Sequence, residues 1–185
     1  MDIVQEIKNF VETECKKPTS KYGYWPFPDH FIPMVNCANQ LAEKMNKDKE
    51  IIALAAWLHD IGSIVHGREN HHITGAEIAQ QKLEALNYPK EKIKLIKRCI
   101  LNHRGSMENN RTSVEEQIIA EADAISNFDN ITGVFAAAFL YENKNHNETK
   151  KSVRTKLQNK WDQLQSESSR KLVRARYEAA MLLLS

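Results

Sequence analysis

Eight consecutive residues, Ile51 through Leu58, carry no charged side chain, and His59-Asp60-Ile61-Gly62 follows them directly. A run that is apolar all round predicts a helix over residues 49 to 60 that is buried on every side. Such a helix needs neighbours around its whole circumference, and the rest of the chain supplies helical ones. Glycine is scarce, at six in 185 residues, alternation of β-branched residues is almost absent, and apolar residues recur at steps of three and four. The expected fold is all-α, a single helical bundle over residues 1 to 185, because a chain of this length builds one sizeable core more readily than two.

The other elements can be read from punctuation and periodicity. Residues 2 to 15 form an amphipathic helix, and 16 to 27 a loop with an aromatic cluster of Tyr22, Tyr24, Trp25 and Phe27. Pro28 suits the first turn of a second helix, whose stripe runs through Phe31, Met34, Val35, Ala38, Leu41, Ala42 and Met45. Gly62 is suited to ending the central helix, with a polar loop from Ser63 to Asn70. Another helix runs to about Asn87, and Pro89 can open the next. A loop rich in Gly, Ser and Asn ends at Thr112 or Ser113, where Ser113-Val114-Glu115-Glu116 has the form of a capping box. Residues 131 to 142, 150 to 164 and 167 to 184 complete the bundle.

Charge and cysteine content narrow the setting. A net charge of +2 gives no general drive towards nucleic acid. From Glu148 onward nine basic residues face four acidic ones, and because they alternate with core positions they read as a solvated outer face. Cys15, Cys37 and Cys99 lack the spacing of a zinc site or a disulfide framework and read as free thiols. No charged-then-apolar leader opens the chain and no apolar stretch has the length of a membrane span. The expectation is a cytoplasmic protein with neither membrane nor nucleic acid as partner.

Chemistry concentrates at the ends of helices. His30 stands at the start of the second stripe, His59 and Asp60 at the end of the central helix, His103 one step beyond Ile93, Ile96 and Ile100, and Asp123 beside the stripe of Ile118, Ile119, Ala122 and Ile125. Taken singly, each is more often a hydrogen-bonded core residue or a cap than a metal ligand. Together, several inward polar groups are costly to bury without a common partner, and a metal cluster would satisfy them at once. Periodicity places His72 on the stripe of Ala76, Ala79, Leu83 and Leu86, which leaves His71 and His72 as competing candidates. His66 and His146 read as surface residues.

This series resembles the HD-domain metal-dependent phosphohydrolase superfamily. The resemblance covers roughly residues 28 to 130 and extends to His59-Asp60-Ile61-Gly62, to His71-x-x-x-Gly75-Ala76-Glu77-Ile78-Ala79 and to Glu121-Ala122-Asp123. It implies an HD-type helical bundle with residues 131 to 185 packed on the core motifs, and it selects His71 over His72. It also implies that His30, His59, Asp60 and Asp123 hold a first metal and that Asp60 bridges to a second held by His71 and His103, a pair that single-metal nucleotidases of the superfamily lack. Ser63 departs from the pattern, because many relatives place Lys there as a phosphate contact.

Imidazole and carboxylate ligands suit iron, manganese, zinc, nickel or cobalt better than magnesium, and iron or manganese is favoured. Two such ions would generate a bound hydroxide near neutral pH and neutralise a transferred phosphoryl group. The expected function is hydrolysis of a small phosphate ester or nucleotide, with Asp60 as the bridging carboxylate and Arg104, adjacent to His103, as a phosphate contact or a surface ion-pair partner. Arg68 and Lys17 are weaker candidates for phosphate, and Glu69 and Glu77 for a general acid. Two alternatives stay open: a di-iron oxygenase of the same superfamily, and a module that senses nucleotide without turnover.

Overall fold

The computed structural model describes residues 2–104 and 111–185. Gly105, Ser106, Asn109 and Asn110 of the loop expected from the sequence lie outside the described residues. The described residues form ten α-helices and two π-helical turns, and no strand. The helices are α1 (Ile3–Lys16), α2 (Ile32–Lys44), α3 (Lys49–Leu58), α4 (Ile61–His66), α5 (His71–Ala85), α6 (Lys90–Leu101), α7 (Val114–Asp129), α8 (Ile131–Ala136), α9 (His146–Gln163) and α10 (Glu167–Leu183). π-Helical turns at Phe27–Phe31 and Ala137–Tyr141 lead into α2 and out of α8. None of these helices is long and apolar enough to cross a membrane.

Two helices form the buried centre. Every residue of α3 from Ile51 to Leu58 is buried, as the apolar run requires. Every residue of α7 from Ile118 to Phe128 is buried as well, although Glu121, Asp123, Ser126 and Asn127 are polar. The α2 helix packs against both, α6 against α3 and α7, and α9 and α10 against α7. The expected capping box opens α7: Ser113 Oγ accepts from Glu116 N at 3.2 Å while Glu116 Oε2 accepts from Ser113 N at 2.8 Å. Glu116 is fully buried and also takes hydrogen bonds from Asn102 Nδ2 and Arg98 Nη2, which ties the end of α6 to the start of α7.

Two stretches differ from the sequence expectation. The segment after Asp60 is a helix and not a loop: Asp60 leaves helical geometry at φ −112° and ψ 13°, and the chain then turns into α4 with Ile61 and Ile64 buried. Gly62 does not end a helix. It lies inside α4 against the first turn of α5, and the helix stops at Gly67, whose φ of +94° is open to glycine alone at little cost. The penultimate helix starts earlier than expected because Asn145 and Glu148 form a second capping box, at 2.9 and 3.0 Å.

Candidate metal centre

Three of the candidate histidines are oriented by the same local device. His59 Nδ1 lies 2.8 Å from the Ala56 carbonyl oxygen, His71 Nδ1 2.7 Å from that of Arg68, and His103 Nδ1 2.6 Å from that of Ile100. A carbonyl only accepts, so each Nδ1 carries the proton and each Nε2 is left with its lone pair. His30, in the first π-helical turn, reaches the same state through Ser126. The Ser126 hydroxyl donates to the Asp123 carbonyl at 2.9 Å and so can accept from His30 Nδ1 at 3.3 Å.

The four Nε2 atoms converge in two pairs, His30 with His59 at 3.1 Å and His71 with His103 at 3.3 Å. Asp60 stands between the pairs. Its Oδ2 is 3.7 Å from each Nε2 of the first pair, and its Oδ1 is 3.2 Å from His71 and 3.5 Å from His103. Asp123 joins the first pair only, with Oδ1 at 3.7 Å from His30 and 3.9 Å from His59. Among the described residues two donor groups therefore exist, His30-His59-Asp60 and Asp60-His71-His103, each with its candidate ligand atoms mutually within 4.8 Å.

Lone pairs facing one another at about 3 Å across a carboxylate, with no proton between them, repel unless a cation lies among them. The donors fit a divalent metal chemically: neutral imidazoles whose other nitrogen donates to a backbone carbonyl, and ionised carboxylates. Burial holds the His59 and His71 imidazoles down, to about 4 in each case, so both are neutral at pH 7. Burial opposes ionisation of Asp60, but His59 and His71 beside it outweigh that and hold the carboxyl well below its usual range. At Asp123 burial is likewise outweighed, chiefly by Lys160 and then by His59 and His30.

The cluster forms one wall of a cavity of about 640 Å³ that Tyr22, Trp25, Arg68 and Arg104 also line. His72 is buried but belongs to neither donor group; its Nδ1 faces Arg104 Nη1 at 3.3 Å, behind the cavity wall. Ser63 lines the cavity with its hydroxyl 3.4 Å from Asp60 Oδ1. The weaker candidates fall elsewhere. Lys17 pairs with Glu14, and Glu69, Glu77, His66 and His146 are exposed.

One wall was misjudged from the sequence. Lys156 and Lys160, read as part of a solvated face, line the cavity from α9, and Lys160 is buried with its ammonium on Asp123 Oδ2. Further along the helix, Gln163 Nε2 donates to the His103 carbonyl at 2.6 Å. Thus α9 braces Asp123, beside the first histidine pair, and His103, in the second donor group. The available signal was the spacing of Lys156, Lys160 and Gln163 by four and three, a single helical face that is polar throughout.

Comparison with known proteins agrees with this geometry. An uncharacterised protein of Clostridium beijerinckii is 34% identical over 101 residues, which is 52% of this chain and 62% of that protein, so the chain spans less than two thirds of this relative. An HD-superfamily hydrolase of Bacillus thuringiensis has the same fold, with a TM-score of 0.69 and 18% identity over 98% of this chain and 92% of the other. YpgQ of Bacillus subtilis, solved in complex with ADP, gives a TM-score of 0.66 and 19% identity over 97% and 92%. The profile of the HD domain matches residues 29–127, a stretch that holds both donor groups, and the chain belongs to the HD-domain family.

Proposed function

We propose that this chain is a metal-dependent phosphohydrolase that uses two divalent ions, iron or manganese, to hydrolyse a small phosphate ester or nucleotide. The observation that carries the reading is Asp60, which offers one carboxylate oxygen to each of two histidine pairs. On this reading His30, His59, Asp60 and Asp123 hold one ion and Asp60, His71 and His103 the other. When bound, the ions supply Lewis-acid charge and activate water for attack on phosphorus.

The chain's own residues do the rest. Lys160 and Asn127, both on Asp123, keep that carboxylate ionised and aimed at the first pair. Arg104 lends positive charge to the cavity for an anionic substrate, while Arg68 lines it paired with Glu142. Tyr22 and Trp25 line the same space and would offer a planar base an aromatic surface. The ADP held by YpgQ, a protein of the same fold, supports a nucleotide among the candidate substrates. We assign the protein to the reducing cytoplasm on its three unpaired cysteines, two of them buried. We also treat residues 1 to 185 as one domain, since α9 and α10 pack on α7.

The test is metal analysis of the purified protein, followed by anaerobic assays with ADP, ATP and p-nitrophenyl phosphate in the presence of manganese, iron or zinc. Two ions per chain, lost on Asp60→Ala, and hydrolysis that persists without oxygen are the expected results. One ion per chain that is indifferent to His71→Ala and His103→Ala would overturn the two-metal reading. Turnover that requires oxygen would favour an oxygenase.

A further inference from the structure

The α9 helix has two working faces. Val153 and Leu157 are buried in the core beside α7 and α10. Ser152, Lys156, Asn159 and Lys160, spaced by four, three and one, lie on another face and line the cavity that holds the donor groups. A polar face of this kind usually meets bulk water; here it meets a confined space whose opposite wall is metal-binding in character. Lys160 is committed to Asp123. Lys156 is half-buried and, among the described residues, makes no hydrogen bond or ion pair.

The charges around Lys156 show what is missing. Arg68 and Lys160 are like-charged neighbours, and the anionic groups that act on it are Asp123 and Asp60. Burial, then Arg68 and Lys160, push the Lys156 amine down. Both aspartates are ligands in the proposed centre, so metal binding would offset the negative charge that now faces Lys156. A lysine that lines a cavity without an ion-pair partner among the described residues suits an anion from outside, and the Ser152 hydroxyl and the Asn159 amide lie on the same face as ready donors.

We propose that Ser152, Lys156 and Asn159 form an anion subsite for a second phosphoryl group, adjacent to the one attacked at the metals, so that the substrate class is a phosphoanhydride and not a simple phosphomonoester. This assignment rests on the phosphohydrolase reading of the same cavity and adds to it the number of phosphoryl groups recognised.

Manganese-loaded protein, dialysed free of excess metal, is titrated calorimetrically with methylenediphosphonate and with methylphosphonate, neither of which is hydrolysed as a phosphate ester. The wild type is expected to bind the diphosphonate at least about tenfold more tightly. Lys156→Met, which keeps the aliphatic stem, is expected to bring the two ligands to within about threefold of each other while manganese content and methylphosphonate affinity hold. Lys156→Arg is expected to restore most of the preference. Lys156→Met that binds the diphosphonate as the wild type does, or a wild type without preference, overturns the subsite and leaves the phosphohydrolase reading standing. A wild type that binds neither phosphonate overturns both.

Discussion

Replacing Gly62 by alanine puts the placement of His71 to a quantitative test. A Cβ at Gly62 would stand 2.2 Å from the His71 carbonyl oxygen and 2.6 Å from Gly75 N. A third contact, with Thr74 Oγ1 at 2.6 Å, can be relieved by rotation of a side chain, but the first two are backbone atoms of α5. Ordinary contact begins near 3.4 Å, so the first turn of α5 has to retreat by about 1.2 Å. His71 is the first residue of that turn, whereas Asp60 lies on the other side of the gap. The change therefore acts on the 3.2 Å separation between His71 Nε2 and Asp60 Oδ1 and leaves His30 and His59 where they are.

Forcing a backbone apart in a packed region costs about 1–3 kcal/mol, which for a chain of this size is a fall in melting temperature of roughly 2–12 °C. A misplacement of about 1 Å in a positioned group can cost on the order of 100-fold in function. The expected Gly62→Ala protein melts earlier and, on the two-metal reading, loses the ion at His71 on dialysis, read by calorimetry and by elemental analysis. Gly75→Ala is the graded control: its Cβ would meet Gly62 N at 3.3 Å and Ile100 Cγ2 at 3.5 Å, contacts that small adjustments relieve. A Gly62→Ala protein with wild-type metal content and melting temperature would refute the argument that the α4–α5 crossing sets His71.

Lys160→Met leaves the buried Asp123 carboxylate without its ammonium, which should cost the metal-free protein about 3–5 kcal/mol in urea unfolding; much of that loss should vanish in the metal-loaded protein, where the ions take over as counter-charge. Metal-free protein should also lose stability as pH falls from about 6.5 to 4. His59 and His71 have imidazoles held at about 4 in the folded state against an ordinary 6.5, so their contribution is present above 6.5 and disappears on the way down, on the order of 3 kcal/mol each. Urea midpoints that do not move between pH 7 and 4.5 would contradict it. Burial pushes the Cys15 thiol up to about 12 and Cys99 higher still, so a thiol reagent at pH 8 should leave both unmodified until the protein is unfolded.

Some of this was legible in the residues and some was not, for reasons that differ by position. The apolar run before His59 has a single physical solution, and α3 adopts it. Gly62 did not read correctly because a glycine at a helix end and a glycine at a helix crossing look alike until the partner helix is known. Choosing between His71 and His72 depended on geometry at the first turn of α5, where both side chains are buried yet only His71 reaches Asp60.

The less legible positions share a cause, which bears on how a centre of this kind is held. Periodicity separates polar from apolar faces but does not say whether a polar face meets bulk water or an internal cavity. On α7, Glu121, Asp123, Ser126 and Asn127 interrupt the apolar pattern, yet all are buried and partnered: Glu121 accepts from Gln117, Ser169 and the Gln165 amide, while Asn127 and Lys160 hold Asp123. On α9, the lysines look like ordinary surface charge until Asp123 is placed opposite them. Burying this many polar groups is tolerable only as a connected set, because each would cost more alone than any single contact returns. The links from Glu121 to the α9–α10 junction, from Lys160 to Asp123 and from Gln163 to His103 tie the last two helices to Asp123 and to the second donor group. Residues 146 to 183 therefore brace Asp123 and His103 and bring lysines to the cavity, and a substitution on the polar face of α9 should register at the candidate metal-binding wall before it registers in the hydrophobic core.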